Sequence, residues 1–339
     1  MKEIATQNAV GHVLCHDLTQ IVPGEYKGAR FRKGHVVTEE DIPVLLSMGK
    51  EHLYVWEMEP GMLHENEAAE RLLALTQNEN MTRSEAREGK IELFAAIDGV
   101  FLVDTDRLNA LNAIDEITVA TRRGGFPVQA GDKLAGMRVI PLVISEAKMD
   151  AAKAAAGETP LLSLLPYRLR TAAIVTTGSE VFSGRIEDQF TPVLTEKLKG
   201  YGISVVLHTV TDDQKEHITA AIRDAKAAGV DVIFCTGGMS VDPDDRTPGA
   251  ILESGAAVVT YGAPVLPGAM LMLGYFEDGT PILGLPGCVM YAKATVLDLV
   301  LPRIAAGVRL QKRDFVTLGE GGLCLGCKPC TFPHCPFGR

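Results

Sequence analysis

The chain has no apolar run approaching the roughly 20 residues that a membrane-spanning helix needs, so no membrane partner is expected. Its opening residues, MKEIATQNAVGHVLCHDL, contain no continuous apolar stretch of the secretory kind. No signal peptide is therefore expected, and the cytoplasm is the expected compartment. Positive charge is also scarce: 33 Lys and Arg against 43 Asp and Glu give a net charge of −10. That balance speaks against nucleic acid as a partner, because such a footprint needs a basic face. There is no GxxxxGK(S/T) phosphate loop and no histidine-based nucleophile pattern. His208 and His217 read as structural or surface residues. A small anion is not excluded, since backbone N–H groups bind phosphate without a lysine.

What is present is a globular composition, 46% hydrophobic and 22% charged, in 339 residues. That length implies two or three domains. Residues 1–150 read as an α+β region, 151–169 as a linker, 170–307 as an α/β domain and 308–339 as a cysteine-rich tail. In the first region ARFRKGHVVT and EHLYVWE read as strands. Thr38 reads as the cap of a helix that ends at Gly49. The polar segment from Met62 to Lys90 reads as helical, and the segment after Gly99 as strands around turns at Gly124-Gly125 and Ala130-Gly131. The Ala-rich SEAKMDAAKAAAGETP reads as a helix or helical linker.

From Tyr167 the pattern becomes strand–loop–helix. RTAAIVTTG, ISVVLHTV, VDVIFCTGG and TPILGLPG are short apolar runs of the kind buried in a parallel sheet covered on both faces. Phe190, Leu194, Leu198 and Tyr201 recur at helical spacing. Thr247 reads as the N-cap of the helix RTPGAILESG with Pro248 in its first position. CVMYAKATVLDLVLPRIAAG reads as a long final helix. Ligands of such folds lie at the carboxyl ends of the strands, and three of those ends carry glycine, in TTGSE, TGGMS and LPGCV. Each glycine alone reads equally well as a tight turn, and Asp212, Asp213, Asp242, Asp244 and Asp245 alone as helix caps. Carboxylates clustered beside glycines that can cradle phosphate point instead to Mg²⁺ bridging to a phosphate-bearing ligand.

The segments TTGSEVFSGRIEDQF, VTDDQ, TGGMSVDPDDRTPGA and GLPG stand in the order and spacing of a known family. Residues 170 to 306 resemble the molybdopterin-binding domain of molybdenum-cofactor biosynthesis. Molybdopterin adenylyltransferase, molybdopterin molybdenumtransferase and the N-terminal part of the competence-damage-inducible nicotinamide-nucleotide amidase share that domain. The resemblance implies a three-layer α/β/α sandwich with a mostly parallel sheet, in a dimer or trimer. It implies a small-molecule pterin ligand, molybdopterin or its adenylylated form, together with molybdate and Mg²⁺. It places Asp245 at the adenylyltransferase's catalytic aspartate and Asp212 at the family's other functional carboxylate. The ligand-binding positions it implies are Thr177, Gly178, Glu180, Asp188, Thr236, Gly237, Gly238, Ser240, Asp244, Thr247, Pro286 and Gly287. The GLPG-to-helix passage and AVGHVLCHDLT look more like the molybdenumtransferase. That enzyme's Asp-Gly-Tyr-Ala segment is absent, however, and Cys288-Val289 stand where it carries Asn-Pro. The implied reaction is molybdate insertion with Mg²⁺-dependent release of AMP. The alternative is a non-catalytic carrier that hands the cofactor to a client molybdoenzyme.

Four of the seven cysteines, Cys324, Cys327, Cys330 and Cys335, crowd the tail. In a reducing compartment this favours metal ligation over disulfides. CxxCxxCxxxxCP resembles the bacterial ferredoxin run with one residue added before the last cysteine. A 4Fe–4S cluster, a Cys₄ zinc site, a Cys₃His zinc site using His334 and an unmetallated tail all stay open. The tail reads as too short and proline-rich to bury its cysteines.

Overall fold

In the computed structural model, which describes residues 2–22, 26–56 and 60–338, the chain divides into two units. The first comprises Met1–Ala96, Val103–Arg122 and Gly131–Ser163, and the second Ile97–Leu102, Arg123–Ala130 and Leu164–Arg339. Among the described residues no helix is long and apolar enough to cross a membrane.

The first unit is antiparallel α+β. Lys2–Ala5 and Val13–Leu14 flank His52–Trp56 in one small sheet, and Leu18–Val22 pairs with Tyr26–Phe31. Position 57, the last of the strand expected there, lies outside the described residues. A second sheet runs Ile117–Thr121, Lys133–Val139, Lys90–Ala95, Met81–Arg83. In Lys90–Ala95 Ile91, Leu93 and Ala95 are buried on one face, the period-2 pattern of a half-covered strand. The helix Glu65–Thr76 buries Ala68, Ala69, Leu72, Leu73 and Thr76, a stripe of helical period.

Three local expectations are corrected in this unit. Thr38 does not cap a helix: its N–H and hydroxyl each donate to Asp41 Oδ2 at 2.9 Å, and the helix is Asp41–Ser47. The helix from Met62 onward is confined to Glu65–Thr76, because the chain turns extended at Gln77. The segment after Gly99 is not strands alone: Asp104 accepts from the Arg107 N–H at 3.2 Å and starts a helix, Thr105–Asn112. Ser145 starts another by accepting from the Lys148 N–H, and the Ala-rich helix runs Glu146–Ala156.

The second unit is an α/β domain around one six-stranded sheet. Its strands are β1 (Thr171–Thr177), β2 (Ser204–Thr211), β3 (Val232–Thr236), β4 (Ala257–Tyr261), β5 (Met272–Tyr275) and β6 (Pro281–Leu285), ordered β2-β1-β3-β6-β5-β4. Neighbours from β2 to β6 are parallel, and β5 is antiparallel to both β6 and β4. Its helices are α1 (Ser179–Phe182), α2 (Phe190–Lys199), α3 (Lys215–Ala227), α4 (Thr247–Glu253), α5 (Val296–Ala305) and the short α6 (Lys312–Val316). Alternate residues of β1 enter different cores. Ala172 and Ile174 join Phe190, Leu194 and Leu198 of α2 and the apolar residues of α5, while Ala173 and Val175 join Ile218 and Ile222 of α3 and Ile251 of α4. Helices thus cover both faces, so the parallel strands read as unbroken apolar runs. Each fully buried Leu or Phe contributes about 2 kcal/mol of hydrophobic burial.

Two strands, β4 and β5, went unrecognised because Gly262, Pro264, Pro267 and Gly268 break their apolar run. The final helix is shorter than its pattern. Gly287–Met290 form a 3₁₀ turn, and α5 begins only at Val296, where Thr295 and Asp298 make a reciprocal capping box. Thr247 is the first residue of α4 and not its cap; Arg246 precedes it without a capping side chain. The tail is not loose. Leu266 N–H donates to Gly322 O at 2.8 Å and Cys324 N–H to Leu266 O at 2.7 Å, and Phe337 is 2% exposed in the core beside α5.

Candidate functional site

The carboxyl ends of β1, β3 and β6 deliver the three glycine turns to one edge of the sheet. After β1, Gly178 (φ +141°) donates its N–H to Thr211 O at 3.2 Å. The next residue is pinned from β2: Asp213 Oδ2 accepts from both the N–H and the hydroxyl of Ser179 at 2.7 Å. After β3, Gly237 and Gly238 take φ of +86° and +54°. A Cβ on Gly237 would run into the Thr177 carbonyl oxygen and lie 2.8 Å from Thr177 Oγ1. One on Gly238 would lie 2.9 Å from Thr247 Oγ1. Only glycine allows this backbone and this approach. The buried hydroxyls of Thr177 and Thr247 bond each other at 3.2 Å, and Thr247 N–H donates to Gly238 O at 3.2 Å. Beneath them Thr236, 1% exposed, donates its hydroxyl to Thr176 at 3.3 Å. The glycine pair is thereby clamped between β1 and α4.

Two clefts open onto this edge. One, about 370 Å³, is lined by Gly237, Gly238, Ser240, Asp245, Pro286, Gly287 and Cys288 among others. The other, about 570 Å³, is lined by Thr176, Thr177, Val181, Ile186, Asp188, Phe190 and Met290 among others. Gly237 and Gly287 belong to both. The first combines glycine backbone and the carboxylate of Asp245 with Met239, Met270 and Leu285; the second sets Val181, Ile186, Phe190 and Met290 beside Glu187 and Asp188. Volumes of this size suit a cofactor-sized ligand.

The carboxylates separate into distinct roles. Asp245 lies on the cleft wall, its Oδ2 accepting from the Asp242 N–H at 3.1 Å. Asp212 is committed elsewhere: it accepts from Gln214 N–H at 3.1 Å and pairs with His217 Nδ1 at 2.9 Å, at the entry to α3. Asp188 organises the start of α2, accepting from the N–H groups of Phe190 (2.8 Å) and Thr191 (3.0 Å) and from Thr176 Oγ1 (3.1 Å), with His208 Nε2 at 3.3 Å. Burial pushes its pKa up, but the donors from Thr191, Phe190 and Thr176 outweigh that and hold it below the usual carboxylate value. Glu180 and Asp244 are exposed. Tyr261 is a residue the sequence pattern did not indicate. Its hydroxyl donates to Met239 O at 2.9 Å and so braces the TGG loop, and burial followed by the charge of Asp245 raises its pKa. It was missed because it lies on β4; no local signal marks it.

Among the described residues no three His, Cys, Asp or Glu side chains form a group that could hold a metal ion. Mg²⁺ commonly takes one or two carboxylates and completes its shell with water and phosphate oxygens. Asp245 fits such a place; Asp212, with its hydrogen bonds to Gln214 and His217, does not. The four tail cysteines all line one small cleft of about 20 Å³. Cys324 and Cys335 are half-buried against the core, and Cys327 and Cys330 are exposed. As placed they form no metal-holding group, so the cluster or zinc reading rests on their spacing.

The fold and these clefts define an α/β ligand-binding domain that presents backbone amides at the ends of parallel strands. Residues 173–306 match the family model described as "Probable molybdopterin binding domain". Residues 3–57 match a domain of unknown function. A CinA-like protein of Mycobacterium sp. (strain MCS) is 37% identical over 76 residues, 22% of this chain and 18% of that protein. One from Desulfosudis oleivorans is 39% identical over 83 residues, 24% of this chain and 20% of that protein. The chain therefore spans only about a fifth of the length of these curated relatives. Among solved structures, the molybdopterin biosynthesis enzyme MoaB of Thermus thermophilus is 25% identical, covering 41% of this chain and 98% of its own, with a TM-score of 0.34.

Proposed function

We propose that residues 170–307 bind molybdopterin or its adenylylated form and insert molybdate with release of AMP. The observation that carries this reading is the meeting of three glycine turns at two clefts that share Gly237 and Gly287. Free backbone amides in the TGG and LPG turns suit phosphate, and the walls formed by Val181, Ile186 and Phe190 suit a ring system. In the reaction, water adds to phosphorus and the phosphoanhydride P–O bond breaks, releasing AMP and leaving the pterin its phosphate, while the two dithiolene thiols displace one molybdate oxygen, which leaves as water with their two protons. The residues of this chain act by positioning and charge. Asp245 would hold the Mg²⁺, which neutralises phosphate charge when bound. The Thr177–Thr247 clamp keeps the loop rigid, and Tyr261 fixes the carbonyls of Met239 and Ser240.

The test is AMP release from adenylylated molybdopterin with molybdate and Mg²⁺. Asp245→Ala is expected to slow it by about a hundredfold or more while pterin binding persists. Equal, slow release by both proteins with pterin binding intact would instead support the carrier reading, in which cofactor passes to a client molybdoenzyme. A dimer or trimer is proposed for either reading, and sedimentation equilibrium tests it. Iron and zinc analysis of anaerobically purified protein tests the tail; the absence of both metals retires the cluster and zinc readings.

A further inference from the structure

The first unit holds a cleft of about 490 Å³, lined by Arg30, Lys33, His35, Glu65, Asn66 and Glu88 among others. Glu65 opens the helix Glu65–Thr76 and is only 7% exposed. Among the described residues its carboxylate accepts no hydrogen bond and joins no ion pair. Its neighbours are committed elsewhere. His64 Nε2 donates to Gly34 O at 2.8 Å, and Asn66 Oδ1 accepts from Gly89 N–H at 2.9 Å. Arg32 pairs with Glu88 at 3.0 Å, and His35 with Asp41 at 2.6 Å. Two glycines make room for the carboxylate: a Cβ on Gly34 (φ +89°) or Gly89 (φ +69°) would stand 3.0 Å from one of its oxygens.

The carboxylate oxygens open onto the cleft, yet the group has lost much of its hydration with no protein donor in return, which disfavours its charged form. Burial raises its pKa more than His64, Arg138 and Lys33 lower it, and Glu88 adds to the rise. Groups kept in this condition inside a cleft mark functional sites. Arg30 and Lys33, both exposed, form no ion pair among the described residues. The cleft thus offers two cations in reach of solvent and one unpartnered carboxylate, on a largely buried residue, that opens onto it.

We propose that this cleft binds a phosphate-bearing small molecule whose opposite end presents paired N–H donors to Glu65, with Arg30 and Lys33 taking the phosphate. A carboxylate accepts two parallel N–H groups side by side, and cations supply the phosphate contact. The proposal does not depend on the reading of the second unit.

Guanosine monophosphate is the probe, because its ring N–H and amino group form such a pair; inosine monophosphate lacks the amino group. Titration calorimetry on the full chain is expected to show the guanine nucleotide binding about tenfold more tightly than inosine monophosphate. In Glu65→Gln that preference disappears, and in Arg30→Ala/Lys33→Ala both nucleotides weaken about tenfold or more. Wild-type protein that fails to bind either nucleotide at millimolar concentration, or Glu65→Gln that retains the preference, overturns the proposal. So does binding lost in Asp245→Ala but kept in Glu65→Gln, which would put the nucleotide in the other cleft. A second readout is thermal stability. The carboxyl's folded pKa is raised, so its penalty is present above that value and absent below the ordinary carboxylate pKa. Glu65→Gln should therefore melt higher than wild type at pH 7, with the gain fading towards pH 4. A Glu65→Gln protein less stable than wild type at pH 7 would show the carboxylate partnered in solution and also overturn the proposal.

Discussion

Gly237→Ala is expected to destabilise the second unit by about 3 kcal/mol and to abolish pterin binding. A Cβ there meets the Thr177 carbonyl oxygen and stands 2.8 Å from its hydroxyl, at a φ of +86° that L-residues rarely adopt. The obstacle is backbone, which cannot swing aside as a side chain tip can. Relief would require β1 and β3 to part beyond Thr176 and Thr236, and both clefts include Gly237. Gly287 supplies the control. It also lines both clefts, but nothing lies within 4 Å of a Cβ there. Gly287→Ala should therefore change stability by no more than about 0.5 kcal/mol. Urea unfolding of the two variants checks this; equal midpoints would show that the turn after β3 is not held as described.

Asp298→Ala is the second large effect, again about 3 kcal/mol, here from two sources. Asp298 Oδ2 accepts from the Thr295 N–H at 2.7 Å and from its hydroxyl at 3.2 Å, closing the capping box of α5. Its other oxygen pairs with Lys197 of α2, and both side chains are mostly buried, at 17% and 13% exposure. Removing the carboxylate strands a buried ammonium as well as opening the cap. Asp298→Asn retains an oxygen for the cap and should lose less. Adding Lys197→Met to Asp298→Ala should recover most of the charge component, because the stranded ammonium is then gone. Absence of recovery in the double variant would place the whole loss in the cap. The pair joins α2 to α5, directly beyond the Gly287–Met290 turn, so pterin affinity should weaken alongside stability.

Legibility differed between elements for physical reasons. The strands of the parallel sheet were readable because burial on both faces demands apolar runs, and Phe190, Leu194 and Leu198 because a helix on a sheet buries one stripe. The turns after β1 and β3 were readable because the positive φ of Gly178, Gly237 and Gly238 favours glycine, whereas Gly287 has neither a positive φ nor a close neighbour to require it. The helix starts were not. Thr38 and Thr247 have capping chemistry, yet one donates to Asp41 and the other bonds Thr177, partners that local spacing does not reveal. The strands β4 and β5 were lost to prolines and glycines, and Tyr261 with them. The tail's apparent inability to pack failed because Phe337 and Cys335 draw on a core made by distant residues.

Local chemistry was enough to set the parallel strands of the second unit, the positions of its three glycine turns and the family model that residues 173–306 match, since each depends on near neighbours in the chain. The division of labour among the carboxylates came from contacts across the fold. Asp212, Asp213, Asp188 and Asp245 are alike as residues, and which one faces a cleft depends on what the neighbouring strand and helix place beside it. Glu65 is the extreme case. The sequence marks only a polar helical segment around it, and the approach of Gly34 and Gly89 from elsewhere in the chain leaves the residue 7% exposed with no protein partner for its carboxylate.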